Sequence, residues 1–310
     1  MSAPLPDAQR ARAALIVQLV RREREAASDR LRMPEPMVIS DRRSVDSLHN
    51  AGAVDGVVLP LYEAYARSLS RLLPPHGLVL ELGCGSAQCV THFARRRPDA
   101  RVIGIDLSSE MIRQGSELVR RLELCDRIDL RIGDMCDENG YDHVEPSVVS
   151  SMLALHHLPD RDALGRLAGA LARLVARTRC AVLLFDLTRL RNPASYRDLL
   201  LNTPGFTGAL LEDAVASEAA AWTLAELSDA LASAGLALIA RTTLPLALFQ
   251  THWRQGRARI DAGRQYWVQT TLAAAAEAEA SSIDRQVGVT ARDRATGVYS
   301  AAERQLKRRQ

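Results

Sequence analysis

From residue 78 onward, short unbroken apolar runs alternate with stretches whose apolar positions recur at helical spacing. The runs lie within 78–88 (LVLELGCGSAQ), at 101–106 (RVIGID), within 125–137 and 148–160, and at 181–186 (AVLLFD). Continuous apolar strands belong to parallel sheets covered on both faces, and strand–helix alternation at this period predicts a doubly wound α/β sheet. Ahead of the first run, residues 8–28 carry a helical pattern among arginines and glutamates, 31–36 break it, and 55–73 resume it. Pro60 falls near the first turn of that second helix and Pro74-Pro75 ends it. After the fifth run, a long insertion at 189–223 precedes a helix at 224–234 stopped by Gly235, and 236–253 provide two final antiparallel strands. Beyond Trp253 the pattern dissolves into an alanine and glutamate run at 273–280 and a basic end. The expected organisation is a helical lead-in or cap at 1–75, a core at 76–253 with a lid at about 189–223, and a tail at 254–310. The tail reads as partly helical and partly disordered, with a membrane-surface or partner-binding tail as the alternative.

Open parallel sheets bind ligands outside the carboxyl ends of their strands, and there this chain places glycines and acids. Residues 78–88 read LVLELGCGSAQ. Gly83 and Gly85 suit a hard turn from strand to helix in which backbone N–H groups close on a ligand. Asp106 ends the second run about 20 residues beyond that turn, the spacing of an acid that accepts ribose hydroxyls. Gln88 stands where a dinucleotide fingerprint has its third glycine, which argues against an NAD-dependent oxidoreductase. The third block ends in Asp134, the fourth leads into His156-His157-Leu158-Pro159-Asp160, and the fifth ends in Asp186.

In this order and spacing the blocks resemble the nucleotide site of class I S-adenosylmethionine-dependent methyltransferases, whose glycine turn follows an acid such as Glu81 and tolerates a small residue such as Ala87. The resemblance covers about 80 residues and implies a Rossmann-like, seven-stranded, mostly parallel α/β sheet with an N-terminal helical cap and a C-terminal tail. It implies S-adenosylmethionine as cofactor. The Glu81, Gly83, Cys84 and Gly85 turn would hold its amino-acid end, and Asp106, with Leu107 beside it, the ribose. Asp134 would take the adenine amino group, Met135 would offer a backbone N–H, and Met152, in the fourth block, is a further cofactor-binding candidate. His156 and His157 are candidate general bases, since histidine titrates near neutrality, although the LHHLPD sequence recurs in this fold whatever the substrate. Arg189 is a candidate anchor for a substrate carboxylate or phosphate, or else a solvated loop residue. One departure from the family is RTRC at 177–180, where a Pro-Gly-Gly turn is usual.

Charge and cysteine usage narrow the acceptor. A net charge of +3 over 310 residues gives no basic stripe for nucleic acid. SSML at 150–153 replaces the Asn-Pro-Pro-Tyr motif that positions an exocyclic amine. The apolar run ALIVQLV at 14–20 is too short to span a bilayer, so no membrane association and a cytoplasmic location are expected. Five cysteines without paired short spacings predict reduced thiols and no metal site. A metalloid-binding set from Cys84, Cys89, Cys125 and Cys136 is disfavoured because no cysteine lies beyond Cys180. The expectation is methyl transfer to a small molecule, mainly by positioning and desolvation. The alternatives are a protein or nucleic-acid acceptor, or a catalytically silent regulatory protein that binds the cofactor. Oligomeric state is not legible.

Overall fold

The computed structural model describes residues 7–27, 29–37, 42–53 and 56–256. The tail expected beyond Trp253 lies outside the described residues after Gly256. Seven strands form one sheet: β1 (Leu78–Leu82), β2 (Arg101–Asp106), β3 (Ile128–Ile132), β4 (Val148–Met152), β5 (Ala181–Leu187), β6 (Ile239–Thr242) and β7 (Phe249–Arg254). Their order is β3-β2-β1-β4-β5-β7-β6, with the first five parallel and β7 antiparallel to both β5 and β6. The chain order reverses between β1 and β4, which places the ligand crevice at their carboxyl ends.

Alternating side chains of each strand feed two cores. Leu80, Leu82, Val149, Val182 and Leu184 pack against α6 (Arg161–Thr178) and α9 (Leu224–Ser233). Val79, Val102, Val148, Leu183 and Phe185 pack against α3 (Leu59–Leu72), α4 (Gln88–Arg96) and α5 (Ser109–Arg121). Every residue of β4 and β5 is buried, which is why β5 reads as a near-continuous apolar run and the polar residues of β4 are the small Ser150 and Ser151. Local chemistry sets the helix starts: Ser108 caps α5, Asp160 caps α6, and Thr223 with Glu226 forms a capping box on α9. Gly235, at φ 80°, follows α9 as the sequence predicts.

The lid insertion is two helices, α7 (Pro193–Leu201) and α8 (Gly208–Ala220), whose apolar faces meet through Leu190, Tyr196, Leu200 and Leu211. The helix α1 (Asp7–Glu25) lays Ile16, Leu19 and Val20 on Leu199 and Leu246, and α2 (Arg42–Ala51) lies beside α8. Between α1 and α2, the segment at 29–37 is a strap tied to the lid. Arg30 pairs with Glu218 at 2.7 and 3.0 Å, and Met33 N–H donates to the Ala219 carbonyl. Arg32 donates to the carbonyls of His156, Leu158, Pro159 and Ala220, and its guanidinium lies 3.8 Å from the Trp222 ring centre.

Candidate active site at the carboxyl ends of the strands

The turn after β1 is built by glycines with different duties. Both sit in the left-handed region, Gly83 at φ 72° and Gly85 at φ 53°. A Cβ on Gly83 would lie 2.3 Å from that of Ala154, so the turn can press against the β4 loop only without a side chain. A Cβ on Gly85 would meet open space, and that space is the cavity. Asp106 braces the turn: Gly85 N–H donates to its Oδ2 at 2.8 Å and Ser108 N–H to its Oδ1 at 2.9 Å. Burial raises the Asp106 pKa, and these two N–H groups oppose the rise. Ala87 holds the third small position at φ 59° and is fully buried. Gln88 is occupied elsewhere, donating to the His49 carbonyl at 3.0 Å and so tying α4 to α2.

Glu81 is buried beneath the turn, where it accepts from Tyr65 Oη at 3.0 Å and from Ser150 Oγ. Burial, with no cation among these contacts, pushes its carboxyl up to about 7. Asp134 accepts from Cys136 N–H at 2.8 Å. Burial drives the thiols of Cys84 and Cys89 well above their ordinary pKa, which leaves them as packing groups rather than thiolates.

A cavity of about 510 Å³, within the range of small-molecule sites, runs outward from this turn. Glu81, Gly83, Cys84, Gly85, Asp106 and Leu107 line it, as do Asp134, Met135, Met152, His156 and His157. The structure thus gathers these residues at one place. The far wall is apolar and comes from the lid, chiefly Tyr196, Leu199, Leu200, Phe206 and Leu210. Sequence patterning gives the lid its place in the chain but not these contacts, which depend on how two helices fold back over the sheet.

Arg189 does not line this cavity, contrary to the expectation of a substrate anchor. Its guanidinium is buried against α9, donating to Glu226 at 3.0 and 3.2 Å and to the Ala221 carbonyl at 2.5 Å. The pairing joins the end of β5 to the start of α9.

Two acids that sequence reasoning did not assign to the site complete its polar end. Asp186, at the end of β5, accepts from the N–H groups of Leu155, His156 and Leu187 and lies 2.6 Å from His156 Nδ1. Its signal in the sequence is the rule that already singled out Asp106 and Asp134, an acid closing an apolar strand. Glu35, on the strap, has no such signal. Its Oε1 accepts from Ser217 Oγ at 2.9 Å and lies 3.6 Å from His156 Nε2 and 3.5 Å from His157 Nδ1. Burial raises Glu35. Burial would lower His156, but Asp186 and Glu35 hold it above its usual value, whereas burial and the neighbouring His156 bring His157 down to about 3.

This combination of glycine turn, strand-end acids and sheet order is that of a nucleotide-binding α/β fold of the methyltransferase type. Residues 79–188 match the family described as "Methyltransferase domain". With the β5-β7-β6 edge, the sheet is similar to that of class I S-adenosylmethionine-dependent methyltransferases, a class whose cofactor is S-adenosylmethionine. An O-methyltransferase family protein from Burkholderia thailandensis is similar in fold, at 18% identity and a TM-score of 0.51. That match covers 70% of this chain and 60% of the other. A SAM-dependent methyltransferase from Aquifex aeolicus has 14% identity and a TM-score of 0.49 over 69% of this chain and 98% of its own. No curated protein matches the chain in sequence.

The residues present fit that cofactor. Gly85 opens onto the cavity without a side chain, and the acids Asp106 and Asp134 stand at adjacent strand ends facing the same space. No helix among the described residues is long and apolar enough to cross a membrane.

Proposed function

We propose that the protein transfers a methyl group from S-adenosylmethionine to a small, mostly apolar molecule held beneath the α7–α8 lid. The observation that carries this reading is the continuity of the cavity, which joins the glycine turn and strand-end acids to an apolar wall formed by the lid. When bound, S-adenosylmethionine supplies an electrophilic methyl group on a sulfonium. The Gly83–Gly85 turn would hold its amino-acid end, Asp106 the ribose, and Asp134 with Met135 the adenine. Met152, at the end of β4, would lie between cofactor and acceptor. The lid and strap exclude water, and the polar end at Glu35, His156 and His157 orients the acceptor's nucleophilic atom toward the methyl. Placement of two reactants in a dry pocket can lower a barrier by several kcal/mol, so in this account positioning and desolvation carry the transfer.

Incubation of the protein with methyl-labelled S-adenosylmethionine and a cell extract tests the acceptor class. Label is expected in the low-mass, organic-extractable fraction. Label recovered in protein or nucleic acid instead would overturn the small-molecule reading, and no transfer to any fraction would favour a silent cofactor-binding protein.

A further inference from the structure

At the polar end of the cavity, two imidazoles turn ring nitrogens toward one carboxylate. His156 Nδ1 lies 2.6 Å from Asp186 Oδ1. A carboxylate only accepts, so the neutral ring carries its proton on Nδ1 and presents a bare Nε2 to Glu35 Oε1 at 3.6 Å. His157 hydrogen-bonds the backbone of Pro36. Proline has no N–H, so the imidazole must donate to the Pro36 carbonyl. The His157 Nδ1 is buried without a hydrogen-bond partner, which makes Nε2 the donor and leaves the Nδ1 lone pair facing Glu35 Oε1 at 3.5 Å. A proton on His156 Nε2 would satisfy one of these contacts and leave the other with lone pair opposed to lone pair. Buried acceptors set against each other are costly unless protons or a metal cation lie between them.

We propose that Glu35 Oε1, His156 Nε2 and His157 Nδ1 bind a divalent metal ion of the zinc type, with its remaining coordination position open to the cavity. The three ligand atoms lie within 4.8 Å of one another. The 3.5 and 3.6 Å separations approach the edge of a tetrahedron, about 3.3 Å for bonds of about 2.0–2.1 Å. Two imidazoles and one carboxylate suit zinc and its transition-metal neighbours better than magnesium or calcium, which prefer oxygen alone.

Outer contacts already fix both rings in the ligating tautomer, as they do around bound metals. Asp186, itself held by three backbone N–H groups, orients His156, and the Pro36 carbonyl orients His157. Arg32 directs its guanidinium at the carbonyls of His156, Leu158, Pro159 and Ala220 rather than at Glu35. Metal binding is independent of the proposed reaction. Only the identity of the fourth ligand, an oxygen, nitrogen or sulfur of the methyl acceptor, rests on it.

The test titrates tag-free protein with Zn²⁺ by calorimetry and with Co²⁺ by absorption spectroscopy. One ion per chain is expected, at micromolar affinity or tighter. The Co²⁺ form should show visible ligand-field bands of a four- or five-coordinate site and no thiolate charge-transfer band, although the chain has five cysteines. Glu35→Gln and His157→Ala should each weaken binding by about tenfold or more. Absence of binding by the parent protein, a thiolate signature, or unchanged affinity in the Glu35→Gln/His157→Ala double variant would each overturn the site. The parent's Co²⁺ spectrum decides the matter even where a variant does not fold. S-adenosylmethionine affinity measured on the same samples reports separately on the methyl-transfer reading.

Discussion

At the scale of single residues, Glu81 shows what the glycine turn costs the fold. Its carboxyl is buried beneath the turn on Tyr65 and Ser150, and burial lifts its pKa from the ordinary 4.5 to about 7. The native chain therefore holds this proton more tightly than the unfolded chain does. The stability it contributes is fully present below pH 4.5 and is lost as pH rises through about 7. Glu81→Gln keeps a hydrogen-bonding carboxamide that cannot ionise. Denaturant unfolding of this variant should show a flatter profile between those two pH values and a gain on the order of 2 kcal/mol over the parent at pH 8. A parent profile already flat across that window would show that the charge is relieved by another route.

At the scale of elements, strap, lid and sheet are joined by buried and half-buried arginines rather than by apolar contact alone. Arg189 is the clearest case. Its partners Glu226 and the Ala221 carbonyl sit at the start of α9, more than 30 residues along the chain, so nothing near Arg189 in the sequence reveals them. Local patterning offered only an arginine just past a strand end, and the anchor reading followed from that position. Glu35 was missed for the same reason, because the histidines and Ser217 that give it meaning arrive from a strand end and a lid helix.

Arg189→Ala should destabilise the protein by about 2 kcal/mol, since it leaves the Ala221 carbonyl and part of the Glu226 carboxylate without their donors. S-adenosylmethionine affinity should be unchanged in that variant. Equilibrium unfolding and calorimetry measure the two effects, and an unaltered unfolding midpoint would return Arg189 to the status of a loop residue.

At the scale of the whole molecule, what the sequence made legible is what the backbone dictates locally. Largely apolar runs mark strands buried on both faces, glycines mark the turn that needs left-handed φ, and acids such as Asp106 and Asp134 stand at or just past the strand ends. The sheet and the residues gathered at the glycine-turn end of the cavity were therefore readable one by one. The lid end was not, because it is assembled from the lid, the strap and the end of β5 by packing across the fold.

The central claim is that this cavity binds S-adenosylmethionine through the glycine turn and the strand-end acids, and calorimetric titration of the parent and of Asp106→Ala tests it most directly. The account predicts micromolar binding of S-adenosylmethionine by the parent, none of NAD, and at least about a tenfold loss in the variant, from two charge-assisted hydrogen bonds of roughly 1.5–3 kcal/mol each. Failure of the parent to bind S-adenosylmethionine, or equal affinity in Asp106→Ala, would contradict it.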